Sequence, residues 1–173
     1  GSPLSLNALR EDLQVSHKTV ESWIGALERL YAVFRLAPFG APRIRAIKKG
    51  QKHYHLDWTV VPAEAARFEN LVACHLLKWV HFKQDTEGRD LELRYFRDIE
   101  GREVDFVVVE GRHPRLLVEC KWGDAEADRS LRYLKARFPE AEAWQLSAVG
   151  AKDYQTPDGV RVAPAVRLLA TLV

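Results

Sequence analysis

Apolar residues recur at intervals of three and four in some stretches of the chain and alternate in others. In LNALREDL, Leu6, Leu9 and Leu13 share one side of a short helix that Ser5 can cap. QVS reads as a turn. Ser16 then caps a longer helix, HKTVESWIGALERLY, with Val20, Trp23, Ile24, Leu27, Leu30 and Tyr31 along its apolar stripe. AVFRLAPF and KHYHLDW read as strands on either side of a turn at Gly40 and Pro42. Pro62 marks a boundary, and from Glu64 to about Phe82 the spacing predicts one long helix. Beyond it, alternation and β-branched runs predict strands near 91–98, 103–110 and 115–121. A helix near 125–138 follows, then strands near 142–149 and 160–170.

Two units are expected from this order. Residues 1–61, helix, tight turn, helix and hairpin, outline a winged helix, a design in which the second helix enters a DNA groove and the wing touches phosphates. Residues 62–173 predict an α/β or α+β domain. The 115–121 strand is central there, and the 142–149 strand is added in parallel after the helix crossover.

Composition narrows the class. At 173 residues, 47% hydrophobic and 29% charged, the chain suits one ordinary domain with a small appendage. No apolar run approaches the roughly 18 residues of a membrane span, and no signal-peptide pattern opens the chain. Cys74 and Cys120 lack zinc-site spacing and read as buried thiols in a reducing cytoplasm. Gly1-Ser2 and the absence of any methionine read as the mark of a cloned piece of a longer protein. Net charge is +2, yet residues 29–56 hold Arg29, Arg35, Arg43, Arg45, Lys48, Lys49 and Lys52 without one acid. A basic block on an otherwise acidic chain suggests a polyanion contact, with Arg43, Arg45, Lys48, Lys49 and Lys52 as the phosphate-binding candidates. His53 and His55 are expected to be solvated beside it.

Candidate chemistry lies where charges interrupt apolar strands. EVDFVVVEGRHPRLLVECKW places Asp105 in one run and Glu119 and Lys121 in the next. Alternation puts Glu119 and Lys121 on one face with Leu117, and sets Asp105 opposite Val104, Phe106 and Val108. Two carboxylates meeting on adjacent strands lose hydration and repel one another. A hard divalent cation, Mg²⁺ or Mn²⁺, relieves both costs through Asp105, Glu119 and the Cys120 carbonyl. Lys121 then stands over the bound water or phosphate. On the long helix, Glu69 shares the stripe of Val72, Ala73, Leu76 and Val80 and points inward at the same site, as a ligand reached through water.

A helix Glu, a strand Asp, then Glu-x-Lys on the next strand resembles the PD-(D/E)xK nuclease superfamily, with Glu69, Asp105, Glu119 and Lys121 as the matching residues. Val104 stands where that pattern usually has proline. The resemblance implies a restriction-endonuclease-like mixed sheet flanked by helices and a metal-dependent DNA phosphodiesterase. Gln145, after the crossover helix, sits where related nucleases place a polar site residue.

A wider resemblance covers nearly the whole chain. SLNALREDLQVSHKTVESWIGALERLYAVFRLAPF, KHYHLDW, RFENLVACHLLKW, GREVDFVVVEG and LLVECKW, in this order, look like the C-terminal region of a prokaryotic AAA-type ATPase family, a domain of unknown function. It implies an upstream ATPase domain as a partner; DNA is the partner expected from the basic block and the nuclease pattern, homodimerisation is left open, and no membrane is expected. No G-x-x-x-x-G-K-[ST] occurs, so no P-loop ATP site is expected in these residues. The competing expectation is a non-catalytic module that binds nucleic acid or protein and regulates the ATPase.

Overall fold

The computed structural model describes residues 6–40 and 50–172. Its elements are helices α1 (Leu6–Leu13) and α2 (His17–Arg29), strands β1 (Val33–Leu36) and β2 (Lys52–His55), and a 3-10 turn at Trp58–Val60. Helix α3 (Glu64–Glu87) follows, then strands β3 (Leu91–Arg97), β4 (Glu103–Glu110) and β5 (His113–Lys121), and helix α4 (Arg129–Arg137). Strands β6 (Glu142–Ser147), β7 (Tyr154–Gln155) and β8 (Val160–Pro164) and the short helix α5 (Val166–Leu169) complete the chain. Ser5 and the basic residues Arg43, Arg45, Lys48 and Lys49 lie outside the described residues.

The fold is mixed α+β. A six-stranded sheet runs in the order β3-β4-β5-β6-β8-β7, beside a two-stranded antiparallel sheet of β1 and β2. β3, β4 and β5 form an antiparallel meander. The α4 crossover brings β6 alongside β5 in parallel, and β8 adds to β6 in parallel. One face of the sheet packs Tyr95, Phe106, Val108, Val118 and Leu146 against Val72, Ala73, Leu76 and Val80 of α3. The other packs Phe96, Val104, Val107, Leu117 and Val162 against Leu131, Leu134 and Phe138 of α4. Helices thus cover both faces, as a sheet buried on two sides requires.

Several boundaries differ from the sequence reading. The long helix continues past Phe82 to Glu87, where Gly88 takes the left-handed conformation (φ 65°) and its N–H closes on the Gln84 carbonyl. The stretch expected as a strand over 160–170 ends at Pro164 and turns into α5. Helix α2 ends at Arg29 rather than Tyr31. The Tyr31 N–H reaches the Glu28 carbonyl, the Ala32 N–H reaches the Leu27 carbonyl, and Tyr31 itself is left-handed (φ 56°). Those two bonds make a Schellman stop with tyrosine in the glycine position. Leu30 and Tyr31 therefore turn outward, 75% and 80% exposed, and only Val20 and Ile24 of the expected stripe are buried.

The hairpin is built into the main sheet rather than standing apart from it. Leu36 and Tyr54 join the α3-side core, and Phe39 joins the α4-side core. Pro38 bridges Tyr95 of β3, and the Tyr95 hydroxyl donates to the Gly50 carbonyl at 3.3 Å. Gly50 begins the return strand at φ 110°, a conformation that glycine adopts freely. The buried Asn70 amide of α3 closes the edge of β2, accepting from the His55 N–H (2.9 Å) and donating to its carbonyl (2.5 Å).

Candidate active site

Asp105 and Glu119 stand where two strands part. The β4–β5 ladder ends at Phe106 opposite Val118. Beyond that pair, β4 is bonded only to β3, through Val104 and Glu103, and β5 only to β6, through Glu119, Cys120 and Lys121. The carboxylates fill the gap. Asp105 Oδ2 accepts from the Cys120 N–H at 2.9 Å, and Glu119 Oε2 accepts from the Asp105 N–H at 3.3 Å. Each side chain replaces a rung of the ladder, which satisfies main-chain donors left orphaned by the divergence.

Strict alternation does not bring them there. The β3–β4 register slips by one between Arg94 and Phe96, so Asp105 and Phe106 together oppose Tyr95. This β-bulge re-aims Asp105. Val104 stays in the α4-side core, Phe106 in the α3-side core, and Asp105 leans to the α3 side. Glu119 follows Leu117 toward α4. The two carboxylates converge edge-on in the fork rather than side by side on one face.

On the α3 side the partner is Lys52, and this corrects its place in the basic block. Its side chain is 1% exposed, with Nζ 2.5 Å from Glu103 Oε1, 3.4 Å from Asp105 Oδ1 and 3.5 Å from Glu69 Oε1. The Tyr95 ring lies 5.5 Å from the ammonium. A buried ammonium needs several anionic partners to offset lost hydration, and β2 delivers Lys52 into three of them; a phosphate contact at the surface is ruled out by the same burial. Glu69 also accepts from the Tyr54 hydroxyl at 2.7 Å. Burial and the Asp105 charge push the Tyr54 phenol well above its ordinary range, so it remains a donor.

On the α4 side Lys121 Nζ lies 2.9 Å from both Glu119 Oε1 and Asp128 Oδ2. Asp128 also caps α4, accepting from the Ser130 and Leu131 N–H groups, and its own N–H donates to Gln145 Oε1 at 2.7 Å. Gln145 is buried beside Glu119 in the β5–β6 ladder, and its amide donates to the Glu126 carbonyl at 3.1 Å. It thereby holds the loop that carries Asp128. Periodicity alone places the start of this helix near 125, whereas it begins at Arg129 with Asp128 as its cap. The signal was an Asp immediately before RSLRYLKAR with its 3.6-residue period, an N-cap pattern. Lys52, Tyr54 and Glu103 carry no local signal, because only tertiary packing brings them to the fork.

Burial and the nearby Asp105 charge push the Glu119 carboxyl up to about 8. Against the effect of burial, Glu119 and Asp128 together raise the Lys121 ammonium above its ordinary value. A raised lysine requires an ionised carboxylate, whereas a raised Glu119 favours a proton. Asp128 resolves the conflict: despite partial burial, Lys121 and the helix N–H groups hold it low, so Lys121 stays charged whichever form Glu119 takes. Among the described residues, five carboxylates (Glu69, Glu103, Asp105, Glu119, Asp128) face two ammoniums and the Arg97 guanidinium. Hard oxygens of this kind suit Mg²⁺ or Mn²⁺. The arrangement does not yet fit an ion, however. Among the described residues no three His, Cys, Asp or Glu donors surround a common point, and the Lys52 ammonium stands between Glu69, Glu103 and Asp105.

Around this centre, His53 also departs from expectation. Both its ring nitrogens are buried without a hydrogen-bond partner, and burial lowers its pKa, so it is a neutral, packed side chain rather than a solvated phosphate contact. His55 is exposed. Cys74 and Cys120 are free thiols.

Two family matches divide the chain. Residues 64–168, more than half of it, match the family described as Domain of unknown function (DUF4143). The chain belongs to the DUF4143 family. DUF4143 domains are common in AAA-ATPase-associated proteins. Residues 1–69 match a second family, Domain of unknown function (DUF8612). No curated protein and no solved structure matches the chain. Asp105, Glu119, Lys121, Asp128 and Gln145 all lie within the DUF4143 match, whereas Lys52 and Tyr54 come from the segment before it. No helix among the described residues is long and apolar enough to cross a membrane.

Proposed function

We propose that the DUF4143 domain carries a metal-dependent phosphodiester-cleaving site of the PD-(D/E)xK kind, acting on DNA. The supporting observation is the fork between β4 and β5, to which α3 brings Glu69, β4 brings Asp105, and β5 brings Glu119 and Lys121. Lys121 is the group that acts on the phosphate. Gripped by Asp128, it keeps its charge and its direction, orients the attacking water and offsets negative charge that develops in the transition state. A divalent ion at this fork would be held by Asp105, Glu119 and the Cys120 carbonyl, with Glu69 through water, and would supply Lewis acidity. Helix α2 and the basic segment containing Arg43, Arg45, Lys48 and Lys49 would bring the duplex as a winged helix does. An ATPase domain elsewhere in the full-length protein would deliver it.

Nicking of supercoiled plasmid in Mg²⁺ or Mn²⁺ tests the reading. Lys121→Ala should lower the rate by about 10²–10³-fold while sparing metal and DNA binding, because it acts on charge present only in the transition state. Asp105→Asn should lose metal uptake as well. One observation favours a second reading, a non-catalytic module that regulates the ATPase: Lys52 already neutralises part of the acidic cluster and ties hairpin to sheet. That module replaces the enzyme if wild type never exceeds Asp105→Asn on duplex, single-stranded and branched DNA, with the full-length protein and ATP included.

A further inference from the structure

We infer that the pocket between Trp58 and Trp122 receives one unpaired nucleobase, so that the DNA cleaved at the fork is single-stranded or frayed there. The inference rests on the phosphodiesterase reading and names the substrate class of that site. The pocket has a volume of about 190 Å³ and is lined by Trp58, Glu64, Arg67, Phe68, Leu71 and Trp122. That is below the roughly 300 Å³ at which drug-sized sites begin, and it suits one flat ring system. Trp122 is 39% exposed. Among the described residues neither indole stacks on another ring, and neither indole N–H donates to a protein acceptor. An open aromatic face of this kind accepts a base of any sequence, because every base has a π-face.

Two elements tie the pocket to the fork. Val118 and Cys120 lie on the α3 side of β5, and Trp122 follows them with the alternation of the strand. At about 3.3 Å per residue, the Trp122 Cα stands about 7 Å beyond that of Cys120, whose N–H is bound by Asp105. On α3, Phe68 directly precedes Glu69. Both walls are fixed in advance. The Trp122 carbonyl accepts from the Ala148 and Val149 N–H groups. Trp58 opens a 3-10 turn capped by Asp57, and Arg67 holds the segment after it, donating through Nε to the Val61 carbonyl (2.6 Å) and through Nη2 to the Pro62 carbonyl (2.9 Å). The rim is polar. Among the described residues the Glu64 carboxylate and Arg67 Nη1 have no partner, which leaves one acceptor and one donor for the amino and carbonyl groups on a base edge. An aliphatic side chain from a protein partner would use neither. Taking a base out of a duplex costs stacking and pairing energy, and least where the base is already unpaired, so single strands, branches and frayed ends enter first.

The probe is a short fluorescein-labelled thymidine oligonucleotide, titrated with the full 173-residue chain in EDTA so that binding is read without cleavage. Fluorescence anisotropy should show wild type binding the single strand. Trp58→Ala and Trp122→Ala should each weaken that binding about 5–100-fold, the effect of losing one stacking face, and should weaken duplex binding far less. Trp122→Phe, which keeps a ring, should recover most of the loss. In a second measurement, wild type is irradiated with the same oligonucleotide carrying 5-iodouracil, and peptide mass spectrometry should find the crosslink on Trp58, Phe68 or Trp122. Folded alanine variants that bind the single strand as tightly as wild type overturn the inference, as does a wild type that does not bind it. If circular dichroism shows the alanine variants unfolded, the wild-type crosslink decides: a crosslink confined to other residues overturns the inference. Nicking in Mg²⁺ or Mn²⁺ is read separately. Single-strand binding that depends on Trp58 and Trp122 without any cleavage leaves the base pocket standing and removes the phosphodiesterase reading. Cleavage of single-stranded and branched DNA that both alanine variants retain in full removes the pocket and leaves that reading.

Discussion

Asp98 shows how far one carboxylate can organise a turn. Its side chain is completely buried between β3 and β4, and it accepts from the Glu100 and Arg102 N–H groups at 2.9 Å and from Arg102 Nε at 2.7 Å. Burial alone would raise its pKa, but these donors hold it below the ordinary 3.8. The charged form is thus favoured in the folded state. Its stabilisation is fully present above the unfolded pKa of about 3.9 and drains away as pH falls through the lower folded value. Asp98→Asn should cost about 1–3 kcal/mol at neutral pH, where it leaves main-chain and guanidinium donors poorly paired. In urea unfolding the gap between variant and wild type should narrow at acid pH, as wild-type Asp98 becomes protonated. A gap of constant size at neutral and acid pH would show that the charge contributes nothing.

Helix α4 links packing to the site at the level of an element. Asp128 does two jobs, capping the helix and gripping Lys121, and two substitutions separate them. Asp128→Ala should lower stability by about 1 kcal/mol through loss of the cap, whereas Asp128→Ser keeps a capping oxygen and most of that stability. Both free Lys121, so both should speed its acetylation by a water-soluble reagent, read by mass spectrometry. Unchanged labelling in the two variants would mean that Glu119 alone sets the state of Lys121. Much of the element order was legible beforehand. The ends of the LNALREDL helix, the turn before Ser16 and the span Glu103–Glu110 follow from periodicity and turn residues within a few positions, as do the parallel pairing of β5 with β6 and the inward side of Glu69. The rest depended on distant partners. Nothing local announces that Lys52, in a run of basic residues, ends among acids on α3 and β4. Nor does the β4 pattern reveal its bulge, which exists only relative to the register with β3.

For the whole molecule, charge separates into an acidic centre and a basic segment. The carboxylates gathered at the fork sit in a chain whose net charge is +2. Replacing Arg43, Arg45, Lys48 and Lys49 together with Ala should weaken duplex binding for every sequence. It should also flatten the salt dependence, by about 0.9 in logarithmic slope for each phosphate no longer neutralised. Filter binding across a salt series measures both. An unchanged slope would place the nucleic-acid interface elsewhere. The bulge at Asp105 and Phe106 has a consequence for reading related chains. It makes residue count, not residue type, the determinant of the site. Shortening β4 by one position between Glu103 and Phe106 would restore plain alternation and carry an aligned aspartate out of reach of the Lys52 ammonium and the Cys120 amide. Among relatives, an aspartate in the aligned column can therefore mark an intact fork or a dead one, and the number of residues from the β3–β4 turn to that Asp is the feature by which to sort them.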